Sequence, residues 1–117
     1  MAYPSYMQPL PFPTAAVRGA AEQCRSMATL VDERMSTAST AAGEARAGWS
    51  GVYADDFGIA WPDTELSATD LSERLRWLAG DLDDAADAAA EENERRAGLR
   101  AQWDCEHDPN RPHNVPC

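Results

Sequence analysis

Residues 46–63 read RAGWSGVYADDFGIAWPD, and this stretch decides how the chain folds. Gly48 and Gly51 bracket Trp49 and Ser50. Two glycines this close permit positive φ and a sharp reversal of direction. The Trp between them pins the corner, because burying so large a ring contributes on the order of 2–3 kcal/mol. Ser50 has the side-chain oxygen expected of an N-cap for the segment that follows.

Upstream of the corner the apolar spacing is regular. Val17, Ala21, Cys24, Ala28, Val31, Met35, Ala38, Ala42, Ala45 and Trp49 are separated alternately by four and three residues. A 3.5-residue seam is the mark of a helix packed in a left-handed coiled coil, whereas a strand would alternate every second residue. Downstream the same spacing runs through Phe57, Trp61, Thr64, Ala68, Leu71, Leu75, Leu78, Leu82, Ala85 and Ala89, and its continuation lands on Leu99 and Trp103. Two long helices joined by a tight turn fold back on each other. The expected fold is all-α, an antiparallel two-helix hairpin with helices over residues 15–47 and 52–103. In this reading the small seam residues of the first helix face the larger ones of the second. Pro62 lies inside the second pattern, where it lacks a donor and disfavours α geometry at Trp61. A kink is therefore expected near Pro62, with Asp63 and Glu65 suited to the start of the resumed helix.

The ends differ from the hairpin. Residues 1–13 contain Pro4, Pro9, Pro11 and Pro13 and form an extended arm. Thr14 then offers an N-cap oxygen. The second helix outruns the first, and the arm is long enough to lie over residues 88–103, with Tyr3, Tyr6, Leu10 and Phe12 near Leu99 and Trp103. A free arm is the competing reading. Residues 14–103 are the hairpin domain, and residues 104–117 form an irregular tail with three prolines.

Composition narrows the function. The formal net charge is −10, and all ten cationic side chains are Arg. No basic stripe exists to neutralise phosphates, so nucleic acid is not an expected ligand, nor is an anionic membrane surface. No apolar run approaches the ~20 residues that span a bilayer. The opening MAYPSYMQPLPFPT has neither a basic start nor an unbroken apolar stretch, so any export is expected by a non-Sec route. Alanine supplies much of the 44% hydrophobic content and buries little area, which points to a thin core that another chain completes. Met27, Leu30, Ile59, Leu66 and Trp77 lie off the seam and are the expected partner interface, with Met27 and Trp77 at similar heights.

The corner GWSGVYADDF resembles the WXG family of small type VII secretion proteins, the ESAT-like proteins. Trp49 and Gly51 match the Trp-x-Gly turn, and Phe57 matches the aromatic that follows. The spacing of Leu71, Leu75, Leu78 and Leu82 is similar too, and the likeness covers roughly residues 15–95. The resemblance implies a non-enzymatic bacterial protein that pairs as a homodimer, or as a heterodimer with a second WXG-like protein, into a four-helix bundle. It also implies recognition by the ATPase of a secretion machinery. The chain would be cytoplasmic before export, then secreted or associated with the cell envelope. The family's C-terminal signal, a Tyr four residues before an acid, is not matched: Ala90 stands four residues before Glu94. The resemblance therefore leaves open a partner that carries the signal.

Other chemistry is sparse. The acidic run from Asp81 to Glu94 forms no calcium loop and reads as a solvated helix face that steers a basic partner. In the tail, Cys105 and Cys117 suit a disulfide, with Cys24 left as a thiol. Cys105, His107, His113 and Cys117 also make a possible zinc set, which competes for the same sulfurs. No catalytic residues, cofactor or phosphate loop are expected. Two further readings stay open: a structural subunit of a larger assembly such as a phage or cell envelope, and a small metal or redox module built on the tail.

Overall fold

A computed structural model describes residues 3–117. A short 3-10 turn, Ser5–Met7, precedes two helices, α1 (Thr14–Ala47) and α2 (Val52–Glu106), of 34 and 55 residues. They form the antiparallel hairpin the spacing predicts, and among the described residues there is no strand. The molecule is a rod of 92 × 18 × 18 Å. Its length is that of α2, since 55 residues at ~1.5 Å rise give about 82 Å.

Three local expectations are corrected. α2 runs through Pro62 as one continuous helix, so no second helix start forms at Asp63 and Glu65. The Pro62 ring sits on the solvated side of α2, away from the seam. Thr14 is the first helical residue, and Pro13 stands at the N-cap without a side-chain bond. At the second helix the N-cap is Gly51, not Ser50, and no side chain caps it.

Ion pairs settle the register between the helices. Arg25 bonds Asp83 at 2.5 Å and Asp32 bonds Arg76 at 2.5 Å. The second pair lies seven residues farther along α1 and seven back along α2. Arg18–Asp87 (2.7 Å) and the Ser39 hydroxyl donating to Glu65 (2.9 Å) extend the ladder along the same flank. Exposed pairs like these add little stability, but they mark which sides of the helices are adjacent. Arg76 holds the Asp32 carboxyl below its usual range, and Asp83 raises Arg25 above its ordinary value.

Between the helices the contact is narrower than the hydrophobicity pattern suggests. On α1 the predicted seam holds from Val17 to Ala42: Ala21, Ala28 and Ala42 are buried, and Val17, Cys24, Val31, Met35 and Ala38 are half-buried, whereas Ala45 and Trp49 at its end are exposed. On α2 the predicted Phe57, Leu99 and Trp103 are half-buried, but between Trp61 and Ala89 only every second predicted position holds: Trp61, Ala68, Leu75, Leu82 and Ala89 face inward. The alternate row is shifted by one residue. Ser72, Ala79 and Ala86 are buried, while Leu71 and Leu78 are 49% and 48% exposed. The register places Ala79 level with Ala28 and Ala86 level with Ala21, so small faces small across that row. Only Ala, Ser or Gly lets two backbones approach so closely, and a Leu there would force them apart. Ser72 is tolerated because its hydroxyl donates to the Thr69 carbonyl at 3.0 Å.

Past residue 89 the inward row of α2 turns polar, at Asn93, Arg96 and Arg100. There α1 has ended, and the N-terminal arm lies against α2 instead. The arm offers backbone groups as well as side chains, and α2 supplies partners for them. Leu10 N–H donates to Asn93 Oδ1 (2.7 Å), Arg96 to the Gln8 carbonyl (2.8 Å), and Arg100 to the Met7 carbonyl (2.6 Å). The Tyr3 hydroxyl donates to the Asp104 carboxylate at 2.8 Å, and Met7 is buried. Tyr6 is exposed, while Leu10, Phe12, Leu99 and Trp103 are half-buried.

Two predictions follow from this packing. Ala79→Leu should destabilise the protein by ~1–3 kcal/mol in urea unfolding, whereas Leu78→Ala next to it should change stability far less. The opposite ranking would show that the register is wrong. Separately, hydrogen bonds from Arg95 and then Arg96 hold the Glu92 carboxyl at about 2 instead of 4.5. A depressed folded-state pKa stabilises fully above the unfolded value and is lost as pH falls through the folded one. An NMR titration of Glu92 should find its midpoint near 2, and substituting both arginines by Ala should return it toward 4.5.

Candidate functional site

The corner is built by backbone geometry first. Gly51 has φ +108°, in the left-handed region that side-chain-bearing residues avoid. It turns the chain and starts α2 at Val52. Trp49, one residue past the α1 cap at Gly48, then lies against α2. Its ring centre is 5.8 Å from that of Phe57, tilted by 49°. Phe57 in turn stacks on Trp61 at 5.6 Å. The structure thus brings Trp49, Gly51 and Phe57 together and adds Trp61. Trp49 remains 44% exposed. Arg46 crosses the gap to α2, with Nη2 only 2.8 Å from where a Cβ on Gly58 would stand. The corner is a formed aromatic surface with one ring open to contact.

The expected interface residues are all exposed: Met27 55%, Leu30 47%, Ile59 76%, Leu66 68% and Trp77 70%. They do not form one patch. The ion-pair ladder occupies one flank of the hairpin. By helical register Met27 falls on the opposite flank, near the level of the newly outward Leu78, with Leu30 just beyond it; Leu71 lies on the same flank two turns nearer the corner. Ile59, Leu66 and Trp77 lie instead on the back of α2, away from α1. Trp77 is near the height of Leu30, about two turns or less from Met27 in register. Leu71 and Leu78 were missed as surface residues because their hydrophobicity placed them in the seam. The signal that could have found them is the small residue recurring every seven positions, Ser72, Ala79 and Ala86, beside them.

The tail closes on the end of α2. Cys105 and Cys117 are joined in a disulfide with Cα atoms 6.0 Å apart, and Cys24 is a free, half-buried thiol in the seam. A disulfide occupies both sulfurs of the zinc set, and His107 stacks on Trp103 at 4.0 Å with Nδ1 2.8 Å from the Trp103 carbonyl. Among the described residues no group of three or more His, Cys, Asp or Glu gathers around a metal-sized space. Among the described residues no helix is long and apolar enough to cross a membrane. Ala90 and Glu94 sit exposed on α2, over the acidic end of the rod.

Comparison with protein-family models, with curated proteins and with solved structures finds no match to this chain. The likeness at the corner therefore rests on the residues themselves and on the hairpin they turn.

Gly51→Ala should lower stability by roughly 1–2 kcal/mol, because any Cβ is strained at this φ. Thermal unfolding followed by circular dichroism reads the loss, and an unchanged midpoint would mean the turn does not depend on positive φ.

Proposed function

We propose that this chain is a non-enzymatic WXG-type hairpin of a type VII secretion system, working through pairing with a second hairpin. The observation that carries the reading is the corner: a Trp-x-Gly reversal at positive φ, closed by an aromatic six residues on, between two long helices. The uncovered flank supports it. Met27, Leu71 and Leu78 leave half of their surface in water, and an isolated two-helix hairpin has no second layer to cover them. Pairing flank to flank would build a four-helix bundle. A second WXG-like protein is favoured over a second copy by charge, since two copies each at −10 repel.

Export agrees with the tail. A structural disulfide such as Cys105–Cys117 belongs to an oxidising compartment, outside the cytoplasm in which the chain would be made. With Ala90 where the family's signal has Tyr, the partner would carry the signal that the secretion ATPase reads.

The test is co-expression with a hairpin protein encoded beside this chain, followed by light scattering. A 1:1 complex is expected, and Met27→Asp with Leu78→Asp should abolish it while leaving the helix content intact. In the native host, loss of the secretion ATPase should retain both proteins in the cell. A chain that stays monomeric with every such neighbour, or that leaves the cell without the ATPase, would overturn the reading.

A further inference from the structure

The back of α2, opposite the seam, is not used by the pairing just described. Val52, Ile59 and Leu66 recur there every seven residues, and Trp77 follows eleven residues later. At 100° per residue these spacings keep all four within ~40° of one line, over about 38 Å of helix. They are the most exposed aliphatic and indole side chains of the molecule apart from Tyr53, at 69%, 76%, 68% and 70%. Surface apolar residues scattered singly need no explanation, but a file of them along one line does.

The residues between them share one sign. Asp56, Asp63, Asp70 and Glu73 interleave with the apolar file, and all are exposed. Arg74 is the one cation on this face between residues 52 and 84, and it is occupied by Asp70 at 2.8 Å. Among the described residues Asp56, Asp63 and Glu73 have no ion-pair partner. Two patterns with nearly the same period therefore lie side by side: a greasy ridge and a row of uncompensated carboxylates.

We infer that this face docks a basic amphipathic helix from another protein, with apolar residues at three-to-four spacing flanked by Lys or Arg. A seven-residue repeat of exposed apolar groups matches a helix lying along α2. The carboxylates select the sign of its charge and speed its arrival. A second copy of this chain does not fit, because its own back face is equally acidic and the outer side of α1 carries Glu33 and Glu44 against the lone Arg34, with Glu22 already paired to Arg25. An anionic lipid surface is repelled by the same charges. The inference concerns a different face from the flank pairing and stands whether or not the chain is exported.

The experiment uses the full chain and three synthetic 21-residue helices: one with Leu at heptad positions flanked by Lys and Arg, one with Glu in place of those cations, and one with the basic sequence scrambled. Fluorescence anisotropy should show binding of the basic helix alone, weakening at least tenfold between 50 and 300 mM salt. Ile59→Ser with Leu66→Ser should weaken it tenfold or more, and Trp77→Ser likewise; these exposed sites leave the circular dichroism spectrum unchanged. The flank variant Met27→Asp with Leu78→Asp should bind the basic helix as the wild type does, so the two surfaces fail separately. Equal binding of the scrambled peptide, or no loss in the serine variants, would reduce the effect to bulk charge and overturn the inference. So would a dimer of the chain alone that the Ile59 and Leu66 substitutions dissolve, or flotation with neutral lipid vesicles that they abolish.

Discussion

Close approach of two helices along rows of small residues is the constraint on which the rest of this structure depends. Ala28 meets the level of Ala79, and Ala21 that of Ala86, and all four are fully buried. Such a seam is dry but thin, because alanine buries little area. The leucines that an ordinary coiled coil would bury are turned outward, to Leu71 and Leu78. The molecule gains a close-fitting hairpin and keeps a surplus of exposed apolar surface.

The same constraint explains the asymmetry of the rod. One flank carries the charged ladder of Arg18, Arg25 and Asp32 with their partners on α2, and so it is complete in water. The other carries Met27, Leu71 and Leu78 and is not. The back of α2 adds a third kind of surface, where apolar residues stand among carboxylates. A small chain thus presents three faces of different chemistry around a core of alanine. The corner organises one end: Gly51 sets the reversal, and Trp49, Phe57 and Trp61 stack along it in sequence.

The opposite end shows what happens when a helix loses its partner. Beyond residue 89 the inward face of α2 would be open, and the proline-rich arm fills it. Prolines have no N–H to satisfy, and the arm's remaining backbone groups bond to Asn93, Arg96 and Arg100. Side chains that would be misplaced in a helix–helix seam are suited to this contact, so the polarity of the α2 row changes where its neighbour changes from helix to extended chain. The disulfide then holds the tail against the same end.

Much of the fold was legible in the amino-acid sequence. The four-three spacing on both sides of Gly48–Gly51, the glycine pair itself and the prolines of the arm determine two helices, a reversal and a lead-in that is not α-helical, because those features act locally through period and φ. The 3-10 turn at Ser5–Met7 within that lead-in was not legible from them. The identity of the buried α1 row was also readable, since alanine and valine there admit no other inward face. What only the tertiary structure decided was the rotation of α2. Leu71–Leu78 and Ser72–Ala79 are adjacent rows on one helix, and hydrophobicity alone favours the leucines. The distance between two backbones, a property of both helices at once, favours the alanines. The same rotation separates Met27 from Ile59, Leu66 and Trp77, and carries Pro62 to the solvent side of an unbroken helix. Spacing can say which residues share a row; only the neighbour's proximity says which row faces in.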